Sequence, residues 1–83
     1  MTVYLAYSDA VVDEDAQGPW DEVVLLEPHL AFVRSELHRS AVYHGLKDAL
    51  PAGASLLVVE LDEVPKFKGM ASGTLAWARR HIP

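Results

Sequence analysis

The chain has 83 residues, of which 51% are hydrophobic and 23% charged, with a formal net charge of −5 and no cysteine. This length fits one domain over residues 1–83 rather than two, and the composition is that of a folded protein rather than a disordered chain. Without cysteine the chain has no disulfide, no thiolate nucleophile and no cysteine-ligated zinc.

The first residues lack the cationic stretch and apolar run of a signal peptide, and the apolar runs are too short to span a membrane. We therefore expect a cytoplasmic protein that does not enter a membrane. Charge is unevenly distributed, because residues 1–33 hold seven acids and no Lys or Arg, whereas residues 34–83 carry a net charge of +2. This acidic first part disfavours a protein that coats nucleic acid without sequence preference.

Three strands are predicted in the first half of the chain. Thr2–Ser8 is aromatic, β-branched and almost wholly apolar, which is typical of a strand buried on both faces. An acidic loop follows over residues 9–20, and Glu22–Glu27 and His29–Ser35 are the next strands. The short gap at Pro28 favours a hairpin, although one long bent strand fits the same pattern.

The second half predicts a helix over Arg39–Leu50, a strand over Ser55–Asp62 that is apolar on both faces in its middle, and a last helix. This last helix begins at Ser72 or Gly73 and ends near Ile82. Its spacing predicts a core stripe made of Ala71, Leu75, Ala78 and Ile82.

The element order β-β-β-α-β-α predicts a compact, ferredoxin-like α+β sandwich in which the acidic loop replaces the usual first helix. A right-handed crossover would make strands three and four parallel, which gives a mixed four-stranded sheet with both helices on one face. The other face would then be open although its residues are apolar. We expect a homodimer to cover it.

The start of the last helix is the first candidate site, because helix N-termini favour anions. Two lysines, two glycines and two hydroxyl side chains surround it: Lys66, Lys68, Gly69, Ser72, Gly73 and Thr74. An alternative interpretation is a solvated segment in which Phe67 points inward and Ser72 is a plain N-cap.

Two residues are candidate general bases. His38 precedes the first helix, and an imidazole titrates near neutral pH. Asp9 follows the first strand, at a strand end where ligands gather in α/β sheets. The histidines lack zinc-binding spacing and the loop acids lack calcium-binding spacing, so we expect no metal and no cofactor. A solvated surface residue is the competing interpretation for both.

Trp77 is predicted to lie opposite the core stripe of the last helix, on a second stripe with Met70, Thr74 and His81. A large aromatic side chain rarely faces water without a reason. We therefore expect Met70, Trp77 and His81 to contact a partner, although the C-terminal tail or the acidic loop folding over the indole would also explain it.

Two segments, Tyr7-Ser8-Asp9 and Phe32–Leu37, resemble parts of the small ferredoxin-like nucleases of CRISPR adaptation and their toxin relatives. The resemblance covers about half of the chain. The first helix of those proteins and its motif have no counterpart here, so no catalytic residue is carried over.

Three functions remain compatible with these patterns. The first is a small homodimeric binding or regulatory domain without catalytic activity that contacts a protein. The second is binding of a nucleotide or nucleic acid through the start of the last helix and the C-terminal basic residues. The third is a small dimeric enzyme with His38 or Asp9 as its base. No catalytic triad, metal set or carboxylate pair supports the third, so we expect the first.

Overall fold

Four strands and two helices follow one another in the predicted order in the computed structural model, which describes residues 1–83. They are β1 (Thr2–Tyr7), β2 (Glu22–Glu27), β3 (Leu30–Ser35), α1 (Arg39–Ala49), β4 (Leu57–Leu61) and α2 (Thr74–His81). Each begins and ends within two residues of the bounds expected from the sequence. Neither helix has the length and apolar character needed to cross a membrane.

The sheet has the strand order β2-β3-β1-β4, and every neighbouring pair is antiparallel. β2 and β3 form a hairpin around Pro28, which confirms the hairpin over the single bent strand. The predicted mixed sheet is wrong. β3 and β4 do run in the same direction, but the crossover through α1 places β4 on the far side of β1, so no two parallel strands are neighbours.

The two helices cover opposite faces of the sheet, so the prediction that both lie on one face is wrong. We call these the α1 face and the α2 face. The α1 face buries Tyr4, Ala6, Ala31, Val33, Val42 and Leu46, and the α2 face buries Val3, Leu26, Phe32, Trp77, Ala78 and Ile82. The physical reason is the alternation of side chains along each strand: the central strands are apolar at both parities, and each face needs its own cover. The open face that motivated a homodimer is therefore absent.

The acidic loop helps α1 to cover its face of the sheet. Val12 is buried there, and Trp20 packs against the same core while its indole N–H donates to the Ala16 carbonyl at 3.0 Å. Gly45 of α1 makes this approach feasible, because a Cβ at that position would lie 2.5 Å from Cδ of Pro19. The loop is thus an integral layer of the domain.

The buried side of α2 differs from the predicted stripe. Ala78 and Ile82 are buried as expected, but Leu75 is 37% exposed and Ala71 is exposed as well. Trp77, expected opposite the core stripe, is only 6% exposed. The helix has only eight residues, so it presents one narrow stripe to the sheet. Turning the indole inward buries more apolar area than turning Leu75 inward.

Candidate functional site

The outer edge of β4 has no partner within the chain. Besides its ladder with β1, the backbone of Leu57–Leu61 makes no hydrogen bond to other backbone groups. No side chain bonds to this backbone either, since the nearest such bonds are at Ser55. Ser8 donates its N–H to the His29 carbonyl at 3.0 Å, so even-numbered residues of β1 direct their backbone groups to β3 and odd-numbered ones to β4. The register pairs odd-numbered residues of β1 with odd-numbered residues of β4. The backbone groups of Val58 and Glu60 therefore point out from the open edge.

The opposite edge of the sheet, at β2, is protected. A register irregularity lies between Leu25 and Glu27, and such bulges disrupt edge pairing. The Ala71 N–H donates to the Leu26 carbonyl at 2.8 Å, which places the segment before α2 against this strand. The outward backbone groups of Val23 and Leu25 have no partner either, but the bulge and the bond at Leu26 make β2 a poorer acceptor of another strand than β4.

An exposed apolar patch adjoins the open edge on the α2 face. It consists of Tyr7, Leu57 and Val59, which are 43%, 60% and 42% exposed, and we call it the β4 patch. Tyr7 and Leu57 are direct cross-strand neighbours, and Val59 pairs with Leu5 on the same face. Because α2 packs over Phe32 and Val3 nearer the β2 side, it leaves these three side chains uncovered.

The sequence of β4 is unusual for an edge strand. Leu57–Leu61 contains no lysine and no proline, two residues that commonly protect exposed edges, and Glu60 is its only charged residue. Its apolar run is typical of a strand buried on both faces. Burial on both faces was the expectation for the middle of this strand, yet Val59 is exposed. The sequence did not predict this site. The available signal was an apolar strand without lysine or proline, and its meaning depends on knowing that β4 lies at the edge of the sheet.

Asp9 connects the end of β1 to the residues before β4. Its carboxylate accepts the Ser55 N–H at 2.8 Å, and its own N–H donates to the Ser55 hydroxyl at 3.2 Å. The bond from the Ser55 backbone, followed by that from its side chain, holds the pKa of Asp9 below its usual range. A carboxylate in this state is a weak proton acceptor, so the geometry favours a structural role.

His38 is the N-cap of α1. Its Nδ1 accepts the Ala41 N–H at 3.2 Å, and the residue is exposed. Neither His38 nor Asp9 lines any of the four cavities of the molecule. The two proposed bases therefore have no adjoining substrate-sized cleft.

At the start of α2, Gly73 and the Thr74 hydroxyl form the turn that leads into the helix. Gly73 is the N-cap, with φ of +84°, and no side chain caps the helix. Thr74 is buried and donates its hydroxyl to the Ala71 carbonyl at 2.7 Å. The two lysines, Gly69 and Ser72 are exposed, and Phe67 packs edge-to-face on Phe32 with ring centroids 5.9 Å apart. This arrangement matches the solvated-segment interpretation except that Ser72 is not the N-cap.

The three residues expected to contact a partner lie against the chain's own core. Trp77 stacks on Phe32, and the His81 ring is tilted against the indole with ring centroids 4.6 Å apart. Met70 packs on the same cluster. The indole is therefore packed on the sheet, beside His81 and in one cluster with Ile82 just after α2, and only 6% of Trp77 is exposed.

One cavity carries positive charge. A groove of about 420 Å³ is lined by Val64, Pro65, Lys66, Phe67, Leu75 and Arg79. Lys66, which was predicted to bind an anion, and Arg79 of α2 both line this groove, and the rest of its lining is apolar. No group of three or more His, Asp or Glu side chains is placed to hold a metal ion.

Comparisons with protein-family models, with curated proteins and with solved structures found no match to this chain.

Proposed function

We propose that the chain is a binding domain without catalytic activity that recruits a protein partner by strand addition at β4. The observation that carries this proposal is the open β4 edge, with Leu57 60% and Val59 42% exposed beside it. In strand addition the main chain supplies affinity and the alternate side chains supply specificity. Both are present at this edge.

The physical chemistry favours an occupant at this site. Burying a fully exposed Leu or Val side chain contributes roughly 1.5–3 kcal/mol, so the half-exposed Leu57 and Val59 offer about 1 kcal/mol each. The backbone groups of Val58 and Glu60 would exchange water for strand hydrogen bonds at a smaller net gain. Several such contributions are required to offset the freedom lost on association.

A proline substitution tests the role of the edge without disturbing the sheet. Because the Glu60 N–H points outward, Glu60→Pro removes a donor from the edge while the pairing with β1 is retained. The control Glu60→Thr removes the same carboxylate and keeps the N–H. The three proteins, immobilised at low density, are each presented with a displayed library of random eight-residue peptides.

We expect enriched peptides with alternating apolar residues to bind the unmodified chain and Glu60→Thr, and to bind Glu60→Pro at least tenfold more weakly. Equal binding to Glu60→Pro would contradict the proposal. So would the absence of enriched peptides together with a chain that does not self-associate.

A second candidate function, binding of an anionic ligand such as a nucleotide, is favoured by the groove that contains Lys66 and Arg79. A phosphate group would contact the two cations while an apolar or aromatic part covers Phe67. Calorimetric titration of ATP into the protein tests it: Lys66→Ala with Arg79→Ala should abolish binding, and Lys68→Ala with Arg80→Ala should not.

We also propose that the sheet has a ferredoxin-like arrangement. It is supported by β3 and β4, which point the same way on either side of β1 and are joined through α1, as in a split βαβ unit.

A further inference from the structure

We infer that the strand that occupies the β4 edge is β4 of a second copy of this chain, paired antiparallel about a two-fold axis through Val59. This inference rests on the proposed function and identifies its partner. The two sheets would join into one of eight strands, with the two α2 faces on the same side because the axis is perpendicular to the sheet.

The backbone of β4 is self-complementary in this arrangement. Val59 lies at the centre of the five-residue strand, so an axis through it pairs every residue of Leu57–Leu61 with a residue of the second copy. The outward groups of Val58 then meet those of Glu60 in the other chain, and the reciprocal pair forms by symmetry. This gives four hydrogen bonds between the two β4 strands.

The side chains match as well. On the α2 face, the two Val59 side chains are adjacent, and each Leu57 lies opposite Leu61 of the other copy. The two β4 patches thereby merge into one apolar surface, and pairs of branched aliphatic side chains across strands are favourable.

Charge complementarity on the α1 face supports the same partner. Glu60 of the second copy lies opposite Val58 and diagonal to Leu56. Leu56 lines a groove together with Lys47 and Asp48 of α1. Lys47 is the only cation of this groove, and neither Lys47 nor Glu60 has an ion pair within the chain. The two-fold axis brings the Glu60 carboxylate of each copy toward the groove rim that carries Lys47 of the other copy. The contact therefore occurs twice in the dimer.

Neighbouring registers are less favourable. An axis through Glu60 would place two carboxylates directly opposite each other, which is destabilising. An axis through Val58 would leave Leu61 paired with a residue outside the strand. Only the axis through Val59 uses the whole strand and places no like charges directly opposite each other. The two Glu60 side chains are diagonal neighbours in this register, farther apart than a direct pair.

The absence of natural cysteine allows a direct test of the register by cross-linking. In Val59→Cys the two introduced thiols face each other at a non-hydrogen-bonded pair, where Cα atoms lie about 4.5 Å apart, within disulfide range. Val11→Cys, at an exposed valine of the acidic loop, is the matched control. Sedimentation equilibrium of the unmodified chain is measured in parallel up to about 1 mM.

We expect Val59→Cys to give a disulfide-linked dimer at least tenfold faster than Val11→Cys under mild oxidation. Leu57→Cys and Leu61→Cys should cross-link to each other when mixed, and slowly or not at all alone. Equal rates for Val59→Cys and Val11→Cys overturn the inference, whether sedimentation shows a monomer or a dimer formed elsewhere. If peptides still bind at the edge of a chain that stays monomeric, the inference fails and the proposed function stands. If neither peptides nor a second copy bind, both fail.

Discussion

The indole of Trp77 lies flat on the ring of Phe32, with centroids 5.4 Å apart and ring planes inclined by 12°. Both residues are buried, and the stack connects α2 to a central strand of the sheet. This contact, more than the length of the helix, holds α2 in place, because isolated helices of this size are unstable in water.

Trp77→Ala should lower the free energy of unfolding by about 3–5 kcal/mol, measured by urea denaturation. Trp77→Phe should cost clearly less, because it keeps an aromatic ring on Phe32 and removes an indole N–H that is buried without an acceptor in the chain. Leu75→Ala, at the exposed residue of the same helix, is the control and should change stability by less than about 1 kcal/mol. A Trp77→Ala protein as stable as the Leu75→Ala control would contradict the importance of the stack.

The Asp9–Ser55 contact predicts a pH-dependent contribution to stability. The pKa of Asp9 is lowered in the folded state by its hydrogen bonds to Ser55, so the contribution is fully present above the unfolded pKa near 4 and is lost as pH falls through the lower folded value. Asp9→Asn should reduce the melting temperature at pH 7, and its difference from the unmodified chain should shrink at pH 3. The control Asp62→Asn, an exposed aspartate beyond β4, should show no such convergence. A difference that stays constant with pH would contradict the assignment.

His38 should behave as a helix cap rather than as a catalytic base. Replacing it with alanine removes the acceptor for the Ala41 N–H and should cost about 0.5–2 kcal/mol, whereas His38→Asp should be neutral or stabilising because it adds a negative charge at a helix N-terminus. His44→Ala, on the exposed side of α1, serves as the control in urea unfolding. Destabilisation by His38→Asp as large as that by His38→Ala would rule out the capping role.

Gly45→Ala should destabilise the domain although alanine normally favours a helix interior. A Cβ at this position would lie 2.5 Å from Pro19 Cδ and 3.0 Å from the Trp20 ring, so the acidic loop must move away from α1. We expect a loss of about 1–3 kcal/mol in thermal unfolding, with Ser40→Ala on the exposed side of the helix as control. A stabilised Gly45→Ala protein would show that the loop is not packed on α1.

Charge reversal tests the proposed pairing of Lys47 with Glu60 of a second copy. Lys47→Glu and Glu60→Lys should each weaken self-association several-fold, and the double variant should recover most of the loss, as measured by sedimentation. Lys68→Glu makes the same change of net charge far from the edge and serves as the control. Independent, additive losses in the double variant would argue against the contact.

The sequence predicted the six elements well because periodicity, β-branched residues and the breakers at Pro28 and Pro51 act locally. It did not predict which face each helix covers. Apolar residues at both parities of β1 show that both faces are buried, but not by which part of the chain. The choice between Leu75 and Trp77 as the inward residue of α2 depended on the ring of Phe32, which lies far earlier in the chain.

The candidate site was harder to predict for a related reason. Leu57–Leu61 has the apolar composition of a central strand, and only the order β2-β3-β1-β4 shows that it lies at an edge. The residues that looked chemically suggestive proved to have local structural partners: Asp9 with Ser55, His38 with Ala41, and Thr74 with Ala71. The polar residue types that suggest catalysis or binding therefore did not indicate the site, because the open edge is made mostly of aliphatic residues.

The hydrogen bond from Ala71 to Leu26 limits how far such an assembly can grow. Each chain has an open edge at β4 and a second edge at β2 that carries a bulge and bonds at Leu26 to the segment before α2. If two copies join through β4, both ends of the enlarged sheet are β2 strands, whose bulge disfavours the addition of a third chain. In the proposed dimer, an aliphatic edge that would otherwise promote fibre formation would therefore lie inside a closed pair.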